Sequence, residues 1–412
     1  MSNADNGTNS GIDAGLERLK NASPFLLDIR PACEVIPTLS ERDFLHAGPP
    51  LEGWHEACGA LRGAVIGTIL HAGTARNIAD AEAIAAESIR LVPAQEHNAL
   101  GTFGGIIARQ TPVLVVRDQP TGTLAFAALN EGRGKAMRYG SYDTDTLARL
   151  SWMETDLAQM LGQAIRLAGG VDLFEIMSQA LHMGDDCHSR QRAGSALFVS
   201  KIAPFLSACD FPAKDLSRVF QFLSQNDFFF LPLAMAAAKS ALASVEGMPG
   251  SALVTCMAFN GVRCGIRVSG HGKRWWTAPV NPPQGQYFQG YSQDDAGPII
   301  GDSEITETMG LGAFAMAGAP VLARYVGGTI EQATRFTLEM YKITAGEHPR
   351  FTIPALGFRG APFGIDARSV VQTGIEPIFN TGIAHRVAGV GQIGAGYSRA
   401  PIECFRQAIE SL

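Results

Sequence analysis

Apolar residues along the chain change their spacing twice. Up to about residue 149, short apolar runs alternate with helical stretches. Val113–Val116 and Leu124–Leu129 read as buried strands separated by the turn Asp118–Gly122. Ile78–Leu91 reads as an alanine-rich helix, and Ala64–Val65–Ile66 as a strand within Leu61–Leu70. Beyond Asp143 the period becomes helical: Leu150, Met153, Leu157, Met160, Leu161 and Ala164 share one face. Helices continue at Val171–Met183, Ser195–Ala208, Leu216–Ser224 and Phe228–Val245, punctuated by Pro204, Pro212 and Pro232. Glu246–Gly250 ends that region.

Alternation then returns. Leu253–Phe259 and Val262–Ser269 flank Asn260–Gly261, the pair favoured where both residues of a two-residue turn need positive φ. The expected register sets Phe259 opposite Val262, Met257 opposite Cys264, Thr255 opposite Ile266 and Leu253 opposite Val268. That face is apolar, and the other face of the second strand carries Arg263, Gly265, Arg267 and Ser269. Helices are expected at Glu304–Ala317 and Ile330–Ile343 before a glycine-rich close. Residues 1–10 are polar and aperiodic and read as disordered, with a short helix at Ile12–Leu19. The pattern predicts a mixed α/β (α+β) fold. Two mixed α/β domains, residues 23–149 and 248–412, flank a helical domain at 150–247, after an arm of residues 1–22.

Composition narrows the function. Charged residues make up only 17%, glycine reaches 46 residues and the net charge is −6, so nucleic acid loses its electrostatic footprint. Seven scattered cysteines without a CxxC pair suggest reduced thiols in a cytoplasmic protein. The N-terminus lacks the apolar region of a signal peptide, and the longest apolar run, Phe228–Ala238, is too short to span a bilayer.

Five segments could carry chemistry. In Leu181–Arg190, two histidines and two aspartates suit proton transfer or a metal, though the spacing is not that of H-E-x-x-H; a helix junction capped by Asp185 or Asp186 is the plainer reading. Gly301–Gly312 starts a helix, where free N–H groups could seat an anion and where Asp302 and Ser303 could equally be ordinary caps. Arg263, Arg267, Lys273 and Arg274 beside Trp275 and Trp276 could hold carboxylate or phosphate, or form a solvated face. Leu129–Lys135 follows a strand, where α/β proteins place ligand loops; Ala94–Asn98 is a weaker case. Gly389–Gly396 matches G-x-G-x-x-G, but the chain closes at Leu412 with no room for the βαβ unit of a dinucleotide site, so no NAD or FAD is expected. His71 and His385 stand singly and read as structural. No nucleophile elbow or Walker loop is present.

Several longer stretches together resemble the YahG/YlbE-like family, which includes a subunit of oxamate carbamoyltransferase. They are Leu45–Pro50, Leu129–Gly132, His182–His188, Val268–Gly270, Trp276–Pro279, Gly301–Glu307 and Thr373–Gly396, the last containing Asn380–His385. The resemblance implies a three-part fold, a partner subunit of the FdrA type related to acyl-CoA synthetases, and conversion of oxalurate and phosphate to oxamate and carbamoyl phosphate. Gly101–Gly105 and Leu70–Thr74 depart from the family pattern, which leaves the substrate open. That chemistry needs anion anchors and an acid for the leaving nitrogen. The candidate acid–base set is His188, His182, Asp186, Asp302 and Glu304. The candidate binding set is Arg263, Arg267, Ser303, Asn130, Glu131, Asn380, Thr381 and His385. Two rival readings stand beside this one: a non-catalytic subunit shaping an FdrA-like partner's site, and a metal-dependent amidohydrolase built on His182, Asp186 and His188. No cofactor is expected in the first reading, and a homo-oligomer is compatible with it.

Overall fold

The computed structural model describes residues 4–132, 134–326 and 328–412. The first residues of the N-terminal arm, Met1–Asn3, and Arg133 of the 129–135 loop lie outside the described residues, as does Gly327.

The chain is a mixed α/β protein. A five-stranded sheet runs in the order Ala99–Leu100, Leu124–Ala128, Pro112–Asp118, Pro24–Pro31 and Val171–Asp172. A second sheet orders Trp276–Pro279, Arg263–Val268, Val254–Asn260 and Ile300–Gly301. A third places Gln392–Arg399 between Gln284–Tyr287 and Ile378–Ala384. Two small pairs complete the set: Thr344–Ile353 with Arg359–Ile365, and the parallel pair Asp43–His46 with Arg90–Pro93. The long apolar run folds as the helix Leu231–Ala243, every residue but the last buried, because it is wedged between the first sheet and the strand Val254–Asn260. Through it one apolar core extends from Ile12 to Ala408. A helix apolar on all sides belongs in such a position.

Four local expectations are corrected. Ala64–Ile66 lies in the helix Gly59–His71, not in a strand; a short apolar run does not reveal its period. Gly63 lets that helix touch the Gly140 backbone, where an added Cβ would sit 2.3 Å from the Gly140 oxygen. The N-terminal helix begins at Ala4, so residues 4–10 are helical. Glu304–Ala317 is not one helix: a single turn, Ile305–Thr308, gives way to Gly310 and Gly312, both at positive φ, and then to a 3₁₀ stretch at Gly312–Gly318. The hairpin is present, but Phe259 pairs with Cys264, Met257 with Ile266 and Cys256 with Arg267. The turn residues are therefore Gly261–Val262, with Gly261 at φ +89° and the Asn260 side chain accepting from the Val262 and Arg263 amides. A slip of two keeps every side chain on its face, which is why alternation identified the faces but not the register.

Candidate functional site

The loop between the helices Leu173–His182 and Arg192–Ala208 is held by two buried carboxylates. Asp185 accepts the Gly194 amide at 2.8 Å, tying the loop to the start of the second helix. Asp186 accepts the amides of His188, Ser189 and Arg190, and the Asn380 side-chain amide at 2.8 Å from the third sheet. These bonds hold Cys187 at φ +59°, a conformation rare for a residue with a side chain, and thereby project His188 inward.

His188 meets Glu307. Its Nδ1 lies 2.8 and 2.9 Å from the two carboxylate oxygens. Glu307 also accepts the amides of Ala313 and Asn380 and the Thr306 hydroxyl, so its position is fixed from four directions. The ring and the carboxylate are both buried. Burial alone would strip the imidazole of its proton. The Glu307 charge and hydrogen bond, with Glu304 and Asp186 nearby, outweigh it and raise His188 to about 9. The resident form at neutral pH is an imidazolium paired with a carboxylate. Glu304 is buried with Oε2 lacking a hydrogen-bond partner, and burial, opposed in part by His188, pushes it up to about 8. At neutral pH it is a neutral acid.

His188 lies on the wall of a cavity of about 50 Å³, together with Ser303, Asn130, Thr102, Tyr139 and Arg138. Arg138 is buried; its Nη2 donates to the Gly132 carbonyl, and Nη1 has no hydrogen-bond partner. The cavity opens into a wider vestibule of about 660 Å³, with which it shares Arg138, Tyr139, Ser189, Phe228 and Gln392. Lys135, Arg190 and Arg192 line the vestibule against a single acid, Asp227. The glycine-rich turn at Gly391 forms part of its rim. That segment leads into the strand Gln392–Arg399 rather than a helix, so it lacks the helix start on which a pyrophosphate would rest.

The candidates from the sequence separate accordingly. His188, Asp186, Glu304, Ser303, Asn130 and Asn380 gather around the cavity or its supports. Thr381 is buried one residue beyond Asn380, bonded to the Gly382 carbonyl, and Gly382 itself lines the cavity. Glu131 clamps the turn below Arg138 by accepting the Met137 and Arg138 amides. Asp302 is structural: it accepts the amides of Gly48 and Gly101 and pins two loops together, while burial raises it to about 7. The helix that follows it is one turn long and offers no macrodipole to an anion.

The remaining candidates lie elsewhere. His182 is exposed at the end of its helix, bonded to Thr352 and edge-on to Phe358. His385 accepts the Val387 amide and faces Tyr291, off the cavity wall. Arg263 is paired with Glu52 and Glu56. Arg267 is fully buried, paired with Glu246, which also holds the buried Lys239. Neither arginine is an anion anchor, because each already has carboxylate partners. His182, Asp186 and His188 do not converge, and among the described residues no group of three or more His, Cys, Asp or Glu side chains could hold a metal ion. Sequence reasoning missed Glu307 and Arg138. Glu307 closed the matched stretch Gly301–Glu307 without being singled out, and Arg138 follows the 129–135 loop by three residues, with no spacing to mark it.

A family model described as oxamate carbamoyltransferase subunit AllG matches residues 89–303. A protein of that name from Escherichia coli K12 is 45% identical over 403 residues, covering 97% of this chain and 96% of the relative. The chain belongs to the AllG family. An uncharacterised protein of the same organism, YahG, is 40% identical over 395 residues, covering 96% of this chain and 84% of its own. The fold is also that of a crystal structure of a conserved protein of unknown function from Enterococcus faecalis V583, with a TM-score of 0.98 and 40% identity over 100% of this chain and 99% of that one. The resemblance seen in the sequence is thereby established across nearly the full length.

Proposed function

We propose that this AllG-family chain is a subunit of a carbamoyltransferase-type enzyme acting on a small ureido acid such as oxalurate, and that the reaction takes place in the cavity at His188. The observation that carries the reading is the buried His188–Glu307 pair on a cavity wall, with the Arg138 charge beside it. Phosphate and a ureido acid are both anions, and the vestibule would draw them in through Arg192, since Lys135 is paired with Asp143 and Arg190 with Asp185. A phosphate oxygen attacks the carbamoyl carbon, and Arg138 offsets the charge that gathers there. As the C–O bond forms, the bond from that carbon to the amide nitrogen breaks. The His188 imidazolium gives the departing nitrogen its proton, releasing oxamate, and recovers one from the phosphate hydroxyl, leaving carbamoyl phosphate. Asp186 and Asn380 act as positioning residues for His188 and Glu307.

The test is phosphate-dependent cleavage of oxalurate by the chain reconstituted with its FdrA-like partner, compared with a His188→Gln complex. Loss of turnover in an assembled, folded variant is expected. Full turnover would assign the chemistry to the partner and leave this chain a shaping subunit.

A further inference from the structure

Phe103 stands at φ +53°, in the left-handed region that a side chain makes costly. It does so in the stretch Gly101–Gly105, where three of five residues are glycine and none of those three has a positive φ. A glycine at 103 would relieve the backbone, so the ring is held there for what it covers. Both ends of the stretch are pinned. The Gly101 amide donates to Asp302 at 2.9 Å, and the Gly104 amide to the Arg138 carbonyl at 3.0 Å. The ring lies against Tyr139, with centroids 4.8 Å apart. Its tip reaches the strand Ile378–Ala384 at Gly382, where an added Cβ would sit 2.5 Å from Phe103 Cζ. Gly382 pairs with Ala395 on the neighbouring strand, and all four of these residues line the cavity at His188.

We propose that Phe103 is a specificity-determining residue: its ring closes one end of the cavity, admits a small amide or ureido acid and excludes one with an aryl group on the amide nitrogen. The inference rests on the reading of this cavity as the substrate site. In an enclosure of about 50 Å³ one benzyl group makes up much of the boundary. The ring cannot simply swing aside. Tyr139 stands against it, Gly382 meets its tip, and the backbone that carries it is bonded to Asp302 and Arg138. A larger occupant would have to break the Gly104 bond to the Arg138 carbonyl and so disturb the turn that carries the proposed anion anchor. Removing the ring leaves an apolar void open to the cavity, and such voids take up aromatic rings. A purely structural ring would change stability and leave the preference among ligands where it was.

Two probes with the same oxamate head and the same charge test this: oxamate itself and N-phenyloxamate. Methyl NMR of the full chain labelled at methionine follows their binding. The reporter is Met235, whose sulfur lies 3.6 Å from the Thr102 hydroxyl on the cavity wall, assigned through its Leu variant. The unsubstituted chain should bind oxamate saturably and N-phenyloxamate at least about tenfold more weakly. Phe103→Ala should reverse that order. Phe103→Gly removes the ring and the left-handed strain together, and serves where Phe103→Ala does not fold. An equal or stronger response of the unsubstituted chain to N-phenyloxamate, a response to neither probe, or a folded variant that keeps the original order would each overturn the proposal. Oxalurate turnover by the reconstituted complex is scored separately. A reversed binding order without turnover keeps the role of Phe103 and removes the reaction, and turnover with an unreversed order removes Phe103 alone.

Discussion

Glu307→Gln removes a charge and keeps most of a shape. The five contacts of Glu307 include two amides and a hydroxyl that a glutamine oxygen and nitrogen can partly replace, but the carboxylate facing His188 is lost. His188 sits at about 9 against an ordinary 6.5, and that gap corresponds to about 3 kcal/mol of preference for the charged ring in the folded chain. Without Glu307, burial opposes protonation and His188 should fall to near 6.5 or below. A group that binds its proton more tightly when folded stabilises fully below its unfolded pKa and loses that stabilisation as pH rises through its folded pKa. The native chain should therefore lose stability between about pH 6.5 and 9. Glu304, raised from 4.5 to about 8, adds to the same downward slope. In Glu307→Gln the His188 part of the slope should vanish, with a loss of about 3 kcal/mol at pH 7. Denaturant unfolding from pH 6 to pH 9.5, alongside the His188 ring proton titration by NMR, measures both. On the proposed role, turnover by the complex should drop by roughly 10²–10⁴. A variant whose His188 still titrates near 9, or whose stability falls with pH as steeply as the native chain, would show that Glu307 does not hold the proton.

Three further outcomes follow from the same geometry. Glu304→Gln should mimic the neutral acid in both the folded and unfolded chain, raising stability at pH 7 by about 3 kcal/mol and removing this group's share of the decline between about pH 4.5 and 8; an unaltered pH profile would show that Glu304 is already ionised at neutrality. Arg267→Ala should leave Glu246 paired with Lys239 alone, take the donor from the Gln95 carbonyl and open a cavity in the interior, costing about 2–4 kcal/mol by urea unfolding, and a folded variant of native stability would contradict the packing role of this arginine. Gly261→Ala should cost about 1–2 kcal/mol from its left-handed backbone, with more from a Cβ placed 2.8 Å from the Cys58 sulfur; native stability would mean that the turn can relax.

Sequence pattern gave helices where the apolar spacing was long and regular. The segments expected at 171–183, 195–208, 216–224 and 228–245 all contain helices, trimmed or extended by a few residues at their ends. Strands were less visible. Pro24–Pro31, Thr344–Ile353 and Ile378–Ala384 are buried irregularly on both faces and interrupted by bulges, so no clean alternation marks them. The hairpin at 254–268 shows the limit from the other side. An Asn-Gly pair marks a turn, but here Asn260 serves as the side-chain cap of a turn whose first residue is Gly261.

The site was half legible for a related reason. Dense polar segments are noticed because burying them needs partners, and the 185–188 loop does find them in Glu307, Asn380 and its own amides. That logic identifies which residues must be satisfied without saying what satisfies them across a gap of more than a hundred residues. It also misleads for cations. Arg263 and Arg267 drew attention because they cluster on one strand, yet clustered arginines with carboxylates in reach are consumed by structure. Arg138 is isolated in sequence and keeps a nitrogen unpaired in a cavity wall, because its nearest carboxylate, Glu131, is occupied with the backbone amides of the turn that carries it. Availability for a ligand is thus a property of the hydrogen bonds a residue does not make. In this chain the donors and acceptors remove Arg263 and Arg267 from the candidate anion anchors and leave Arg138, on the turn at 137–139, as the proposed one.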